Sequence, residues 1–415
     1  MLIIYRILIL FLIIFSPIIL IYRLIKGKEH IKRFIEKFSF INKKKRVGKL
    51  IWFHGSSIGE ILSVIPIIEK FEKKKDIKQI LVTSNTLSSS KILSKFNFKK
   101  TIHQFFPIDS TMIIRKFLSY WKPTSALFIE SEIWPNAIFE IKKAEIPLIL
   151  INARITKKTF NNWNRLKNFS NSIFSKFDIC LCQNYETMSY LKKLGSKNVK
   201  KEGNLKFSNY NISKNKRLNN KIHKFLKSKN ILFGGISTHP EEEIFCAKVH
   251  QELTNRVKNC LTIIIPRHIH RAIDIRNEIS NLKLKVHLHS SKNKISKDVE
   301  IYIVDTFGDT QKFMEYCKIV LLGGSLIPHG GQNPLEAARL GCRVLHGPYI
   351  ENFTEVYRTL NKYKIAFKIK KKKDALYQIN NIFKNKHIKN NKITKLKHIG
   401  NNILEKNLKA INRHI

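Results

Sequence analysis

A glycine- and serine-rich turn that ends in a carboxylate is the first feature of this sequence suited to catalysis. The segment IWFHGSSIGE, residues 51–60, predicts a buried strand, a turn and the start of a helix. In α/β proteins ligands bind at such strand ends, and the carboxylate of Glu60 could accept a proton there. Ser57 and Glu60 also have the spacing of a capping box, in which Glu60 would only accept the backbone N–H of Ser57. The local pattern leaves both interpretations open.

Three further segments place polar groups directly after apolar runs. In LFIESEIWPN, Glu130 and Glu132 follow a predicted strand, and in PRHIHRA the pair Arg267 and His268 follows LTIII. A guanidinium group at a strand end suits a phosphate or a carboxylate. EGNLKF places Lys206 in a loop, where a solvated lysine is the ordinary expectation in so basic a chain. The two histidines of PRHIH have no further ligand cluster beside them, so a zinc site is not predicted.

Two glycine-bearing segments predict helix starts that face an anion. STHPEEEIF follows ILFGGI, and the spacing of Thr238 and Glu241 predicts a capping box at the start of a helix. In LLGGSLIPHGGQNPLEAARLG, a buried strand ends in paired glycines and Asn333 can cap a helix that begins near Pro334. Glu336 lies one turn into that helix, where it is either a helix-terminus charge or an acceptor for a ribose hydroxyl. Neither a G-x-G-x-x-G nor a Walker A sequence is present.

Short apolar runs that alternate with amphipathic stretches must position these groups. The runs form two successive series, separated by a polar, Asn/Lys-rich stretch near residues 208–230, and they read as buried parallel strands. The first series is KLIWFH, IKQILVTS, SALFIE, IPLILINA and FDICLCQN; the second is ILFGGIS, LTIIIPRH, LKVHLHS, VEIYIVD, IVLLGGS and CRVLHGP. Two such series predict an α/β protein with two doubly wound, Rossmann-like domains that face a cleft. Residues 374–415 read as helical and basic.

The N-terminus carries an apolar run that predicts a membrane anchor. ILILFLIIFSPIILIY, residues 7–22, is flanked by Arg6, Arg23, Lys26 and Lys28. The run approaches the roughly 20 residues that a spanning helix needs, and no small-residue cleavage site follows it. The denser positive flank on its C-terminal side predicts that the rest of the chain stays in the cytoplasm. An interfacial hairpin or an embedded helix is the competing interpretation.

Charge and cysteine content narrow the class of protein. Lys and Arg total 77 against 30 acidic residues, a formal net charge of +47. Such an excess fits nucleic acid or a membrane surface. A general compositional bias is the favoured explanation, because Lys, Ile and Asn are abundant throughout the chain and no basic run is interleaved with aromatic residues as in RNA-binding motifs. The six cysteines form no C-x-x-C pair, which favours buried free thiols over a zinc site or a disulfide framework.

The motifs taken together resemble the 3-deoxy-D-manno-octulosonic acid (Kdo) transferases, which attach Kdo from CMP-Kdo to the lipid A precursor. The resemblance runs from the N-terminal anchor to about residue 355. It rests on eight segments in the order of the family: HGSSIGE, ESEIWPN, INARIT, GNLKF, STHPEEE, PRH, GGSLIPHGGQNPLEAA and GPYIENF. One such segment would be weak, whereas eight in order are highly specific.

The resemblance implies a GT-B glycosyltransferase that inverts the anomeric centre and needs no metal or other cofactor. It implies that Glu60 is the proton acceptor and that Glu130 and Lys206 stabilise the transition state. CMP would be bound by residues of the second domain: Arg267, His268, Phe307, Gly308, Asp309, Asn333, Pro334, Leu335 and Glu336. The family more often has Met-Gly-Glu where this chain has Phe307-Gly308-Asp309, so the contact of the shorter Asp309 with the nucleotide is the least secure of these roles.

The implied domains are a membrane anchor (1–28), an acceptor-binding domain (29–210), a CMP-Kdo-binding domain (211–385) and a basic C-terminal helix (386–415). The expected partners are CMP-Kdo, lipid IVA in lipopolysaccharide biosynthesis and an anionic membrane surface, with no nucleic acid. The expected location is the cytoplasmic side of the inner membrane. The alternatives are another GT-B transferase with a different nucleotide-sugar donor and a basic nucleic-acid-binding protein. The number of Kdo residues transferred is not readable from any motif.

Overall fold

The structure is a computed structural model that describes residues 1–208, 218–384 and 389–415. The chain forms two compact units, one of residues 1–209 with 399–415 and one of residues 210–398. Both predicted boundaries of the CMP-Kdo-binding domain, at 210/211 and 385/386, lie outside the described residues.

Fourteen strands occur among the described residues, and their bounds follow. They are β1 (Lys49–His54), β2 (Ile77–Ser84), β3 (Thr101–Phe105), β4 (Ser125–Ile129), β5 (Leu148–Ala153), β6 (Ile179–Cys182), β7 (Val199–Lys201), β8 (Ile231–Thr238), β9 (Cys260–Pro266), β10 (Val286–Leu288), β11 (Ile301–Ile303), β12 (Ile319–Leu322), β13 (Arg343–His346) and β14 (Ala366–Lys368).

The α-helices connect these strands and cover the sheets. They are α1 (Leu2–Ile25), α2 (Ile58–Glu72), α3 (Leu87–Leu93), α4 (Thr111–Trp121), α5 (Pro135–Lys143), α6 (Lys157–Asn164), α7 (Lys167–Phe174), α8 (Tyr185–Lys193), α9 (Asn220–Lys227), α10 (Glu242–Thr254), α11 (Ala272–Ser280), α12 (Thr310–Met314), α13 (Leu335–Arg339), α14 (Thr354–Lys362), α15 (Lys372–Lys384) and α16 (Lys389–Ile411). Short 3-10 turns lie at Phe34–Phe38, Leu205–Ser208, Ile269–Arg271, Glu351–Phe353 and Asn412–His414.

The first unit contains a seven-stranded parallel sheet in the order β3-β2-β1-β4-β5-β6-β7. Its central strands are buried along almost their whole length, as expected for a parallel sheet that helices cover on both faces. The strand order reverses between β1 and β4, and open α/β sheets bind ligands at the carboxyl ends of strands at such a point. The edge formed by the ends of β1 and β4 is therefore where chemistry is expected in this unit.

The second unit contains another seven-stranded parallel sheet, in the order β10-β11-β9-β8-β12-β13-β14. Its order reverses between β8 and β12. The prediction of two Rossmann-like parallel α/β domains is therefore confirmed. The end of the chain returns to the first unit, where Leu404, Leu408 and Ile411 of α16 belong to the core beneath the first sheet.

Helix α1 carries the apolar run of the N-terminus. It is long and apolar enough to cross a bilayer by length and composition, with a mean hydropathy of 2.7 over an 18-residue stretch, and most of it is exposed. Its first turns contact the rest of the first unit. The hydroxyl of Tyr5 donates to Asp109 at 2.7 Å, and Arg6 Nε donates to Asn136 at 3.1 Å. Asp109 also accepts the backbone N–H groups of Asn136 and Ala137 and so caps α5.

All six cysteines are free and buried, as the sequence predicts.

The capping box predicted at Thr238 and Glu241 is wrong. Helix α10 begins only at Glu242, and Glu241 precedes it with a φ of 75° and makes no side-chain cap. In the predicted box Thr238 would be the cap and Glu241 the third residue of the helix, but Glu241 lies before the helix with a left-handed backbone, so it cannot take that position.

Candidate active site

Glu60 lies at the carboxyl end of β1, on the first turn of α2. The capping box is present, with the N–H of Glu60 donating to Ser57 Oγ and the N–H of Ser57 donating to Glu60 Oε2, both at 3.3 Å. A shorter bond of 2.6 Å joins the N–H of Ser56 to the same Oε2. The carboxylate is half-buried, and its burial, followed by the charges of Glu132 and Glu130, raises the pKa of Glu60 to about 7. A carboxylate with such a pKa is suited to general-base catalysis near neutral pH.

Glu130 and Lys206 form an ion pair at the same sheet edge. Lys206 Nζ lies 2.6 Å from Glu130 Oε1, and the two side chains are only 19% and 8% exposed. Asn152 Nδ2, at the end of β5, donates to the same carboxylate oxygen at 3.3 Å. Glu130 has a φ of 56°, a conformation that costs energy for a residue with a side chain and is common at functional sites. The three residues predicted for catalysis therefore lie at one edge of the first sheet.

Glu132 lies at this edge as well, although the sequence gives it no role. Its Oε2 accepts the hydroxyl of Ser56 at 2.6 Å and the indole N–H of Trp134 at 2.7 Å, and it lies 3.1 Å from His54 Nε2. Burial alone would raise the pKa of Glu132, but hydrogen bonds from His54, Ser56 and Trp134 outweigh it and hold the pKa below its usual value. Glu132 is therefore ionised at a pH where Glu60 still titrates.

The residues predicted to bind CMP all follow strands of the second sheet. Arg267 and His268 come directly after β9, and both side chains are exposed. Phe307 to Asp309 follow β11, and the ring of Phe307 is 90% exposed. Asp309 accepts hydrogen bonds from the Thr306 hydroxyl and from Lys312 Nζ, both at 2.6 Å.

The loop after β12 brings the last predicted segment to the same edge. Asn333 Oδ1 accepts the N–H of Leu335 at 3.1 Å, and α13 begins there, close to the predicted start. The side chains of Asn333 and Glu336 are exposed, whereas Pro334 and Leu335 are buried. Any contact of Leu335 with a ligand therefore has to use its backbone.

The anion site predicted after β8 is filled by a carboxylate of the chain itself. Glu242, on the first turn of α10, accepts the backbone N–H groups of His239, Gly324, Ser325 and Leu326 at 2.8 to 3.1 Å. This arrangement joins the ends of β8 and β12 at the switch point. The N–H groups of His239, Gly324, Ser325 and Leu326 are thus used to hold the glycine loop in place.

Several histidines surround that loop, and sequence reasoning assigned a role only to His268. The ring of His239 lies 4.3 Å from the ring of His329 and 6.1 Å from that of His268, between centroids. Burial, then the charges of neighbouring His and Arg residues, lowers the pKa of His239 to about 4. Within the described part of the chain, no group of three His, Cys, Asp or Glu side chains is placed to hold a metal ion.

Comparison with known proteins shows which family this chain is similar to. A family model described as 3-deoxy-D-manno-octulosonic-acid transferase (kdotransferase) matches residues 32–209. A 3-deoxy-D-manno-octulosonic acid transferase of Rickettsia bellii is 32% identical over 359 residues, which cover 86% of this chain and 85% of that protein. The protein of the same name from Rickettsia prowazekii is 30% identical over 377 residues, covering 88% and 80%.

Among solved structures, the fold is similar to that of UDP-GlcNAc 2-epimerase from Neisseria meningitidis bound to UDP-GlcNAc. The TM-score is 0.56 over 88% of this chain and 99% of that one, at 15% sequence identity. An identity this low supports the likeness of fold, which is that of the GT-B class, and nothing more.

Proposed function

Because the chain belongs to the 3-deoxy-D-manno-octulosonic acid transferase family, we propose that it transfers Kdo from CMP-Kdo to the lipid A precursor lipid IVA. The family membership itself supports a Kdo-transferring glycosyltransferase of lipopolysaccharide biosynthesis. The donor, the acceptor and the residue roles are our proposal. The observation that carries the proposal is a carboxylate at the switch point of the first sheet, Glu60, with a pKa of about 7.

In the proposed reaction, a hydroxyl of the acceptor sugar attacks the anomeric carbon of Kdo while Glu60 takes its proton. The bond between the anomeric carbon and the phosphate oxygen breaks, and CMP leaves with the electron pair. Attack on the face opposite the leaving group inverts the anomeric centre. The pKa of Glu60 suits this step, since the carboxylate is largely ionised just above neutral pH and still basic enough to accept a proton.

The second unit is proposed to bind the nucleotide. CMP-Kdo has one phosphodiester, so we propose that the guanidinium of Arg267 and the nearby His268 balance the charge of the departing phosphate without a metal. The exposed ring of Phe307 offers a surface on which a cytosine can stack. Gly308, Asp309, Asn333, Pro334, Leu335 and Glu336 complete the proposed site, with Glu336 accepting a hydrogen bond from a ribose hydroxyl.

Nucleotide binding tests the donor. We expect Arg267→Ala and Glu336→Ala each to weaken CMP binding by about 1.5–3 kcal/mol, the usual value of a hydrogen bond to a charged group. Calorimetry on the full chain measures this, and CMP should bind more tightly than UDP. Arg276→Ala is the control, because Arg276 is an exposed arginine of α11 in the same unit. Normal CMP affinity in both test variants would show that the nucleotide does not bind at this edge of the second sheet. A preference for UDP would favour a different donor.

We also propose that α1 attaches the enzyme to the cytoplasmic side of the inner membrane, beside its lipid acceptor. Deleting residues 1–28 should move much of the protein from the membrane to the soluble fraction while CMP binding is retained. Some attachment should persist, because each Lys or Arg near an anionic surface adds about 1 kcal/mol. Fractionation in low and high salt measures the shift, with Tyr5→Phe as a control that loses a contact of α1 but keeps its apolar surface. Unchanged pelleting of the truncated protein in high salt would show that α1 is not the main anchor.

A further inference from the structure

The carboxylate of Glu132 is the point where three parts of the first unit meet. Ser56 lies in the turn after β1, His54 is the last residue of β1, and Trp134 directly precedes α5. All three contact a single oxygen of Glu132, at 2.6 to 3.1 Å. A carboxylate has no hydrogen to donate, so the hydroxyl, the indole and the imidazole must each donate to it. Glu132 is 12% exposed, so these bonds are shielded from competition with water.

Ser56 connects this carboxylate to the proposed base. Its hydroxyl donates to Glu132, while its backbone N–H donates to Glu60 at 2.6 Å. Asn85 Nδ2 donates to the same hydroxyl at 2.7 Å, and Ser89 Oγ donates to the carbonyl of Ser56 at 3.1 Å. The serine therefore has bonds on its side chain and on both backbone groups, and Glu132 is the acceptor that orients its hydroxyl.

The His54 ring is itself held firmly behind Glu132. It is fully buried, its Nδ1 lies 3.0 Å from Thr83 Oγ1, and its face stacks on Phe106 at 3.7 Å between centroids. Thr83 Oγ1 also accepts the indole N–H of Trp52 at 2.9 Å. Glu132 is thus bonded to the buried interior of the sheet through His54 and to the turn that precedes Glu60 through Ser56.

We propose that Glu132 is a positioning residue for the transfer reaction, which holds Ser56 and through it the carboxylate of Glu60 in the geometry needed to take a proton. This proposal rests on the proposed function, because it needs Glu60 to be the base. It gives a role to a carboxylate for which the sequence motifs predict none. Glu132 does not itself exchange a proton with the acceptor.

Glu132 also acts on Glu60 through its charge. The charged and titratable groups around Glu60 are Glu132 and Glu130 after β4, Lys206 in the turn after β7, which is paired with Glu130, and His54 of β1. Two negative charges next to a third disfavour its ionisation, and two carboxylates with pKa values pushed apart are typical of an acid–base site. Removing the charge of Glu132 should therefore make Glu60 easier to ionise.

The test is the pH dependence of transfer by Glu132→Gln. Glutamine keeps an oxygen that can accept the bonds of Ser56 and Trp134, but it carries no charge. We expect the acidic limb of kcat/KM to move to lower pH by about half to one unit, because less repulsion lowers the pKa of Glu60. A glutamate whose charge does not influence Glu60 would leave this limb in place. Glu186→Gln is the matched control, a glutamate of α8 in the same unit whose hydrogen bond to Tyr190 is exposed, and its profile should equal that of the wild type.

Ser56→Ala provides the second measurement. It removes the hydroxyl that connects the two carboxylates and keeps both charges, so kcat should fall about tenfold or more while the acidic limb stays in place. Ser56→Ala with normal turnover would overturn the positioning role of Glu132, and Glu132→Gln with an unchanged limb would overturn its action on Glu60 through charge. A failure of the proposed function would give a different result, because Glu60→Gln itself would then retain transfer. In that case the positioning role proposed for Glu132 would also be wrong.

Discussion

Glu60→Gln should fold, bind CMP and lose nearly all transfer, with turnover reduced about 10²–10⁴-fold, the usual contribution of general-base catalysis. In the structure, this substitution removes the proton acceptor and leaves the hydrogen bonds at the start of α2 in place. The oxygen of Glu60 accepts the N–H groups of Ser56 and Ser57, and a glutamine oxygen can accept both, so the capping box survives. What glutamine cannot do is take a proton. The wild-type kcat/KM should rise with pH until Glu60 is ionised, near pH 7, and the residual activity of the variant should lack that limb.

Ser57→Ala is the control that separates the base from the cap. It removes the side-chain oxygen that accepts the N–H of Glu60 at 3.3 Å, which should cost about 1 kcal/mol of stability, yet it leaves the carboxylate in place. Turnover should stay within a few-fold of the wild type. If Glu60→Gln were instead to retain normal turnover, Glu60 would be a helix cap and not the base.

Lys206→Met should lower kcat/KM about 10²–10³-fold, in the range observed when one stabilising group of a preorganised site is removed. Its ammonium group lies 2.6 Å from Glu130 and is largely buried, so the charge that it places at the sheet edge is fixed before the substrate arrives. Glu130→Gln should cause a loss of similar size. If the two act as one unit, the double variant should be little worse than either single variant, because such groups are strongly non-additive.

Breaking a buried ion pair also destabilises a fold, because one charge is left without its partner. Lys142→Met is the matched control for this effect. It breaks the pair of Lys142 with Asp178, at 2.9 Å in the same unit, at a position on α5 for which no catalytic role is proposed. Kinetics below the Tm of every variant separate the two effects. Transfer by Lys206→Met within a few-fold of the control would show that the pair only supports the fold.

The long apolar strands of both sheets were predictable because a parallel strand that is covered on both faces reads as an uninterrupted apolar run. The short strands were not. β3 at Thr101–Phe105 contains His103 and Gln104, and β7 and β14 have three residues each and include lysines. Edge strands of this kind lack an uninterrupted apolar run. The sequence therefore predicts the two domains but not the edge strands β3, β7 and β14.

The sequence predicts which positions belong to the site, but not the hydrogen bonds and the ion pair that connect them. Glu130 and Glu132 are two residues apart, and in a continuing strand they would point to the same face. The left-handed φ of Glu130 breaks that alternation, so Glu130 pairs with Lys206 while Glu132 binds Ser56, Trp134 and His54. Similarly, no local pattern shows that Glu242 of α10 accepts backbone N–H groups of the glycine loop after β12. Both arrangements depend on contacts between segments that are far apart in the sequence, and a local sequence pattern does not reveal such contacts.

The most direct test of the central claim is mass analysis of the product formed from CMP-Kdo and lipid IVA by the purified full chain, with Glu60→Gln in parallel. Both reactions contain a chelator, so that the proposed independence of metal is tested at the same time. We predict that lipid IVA gains the mass of one or more Kdo residues with the wild type and that CMP is released, while the variant forms almost no product. Unmodified lipid IVA with the wild type, product formed only after Mg²⁺ is added, or equal product from Glu60→Gln would each contradict the account.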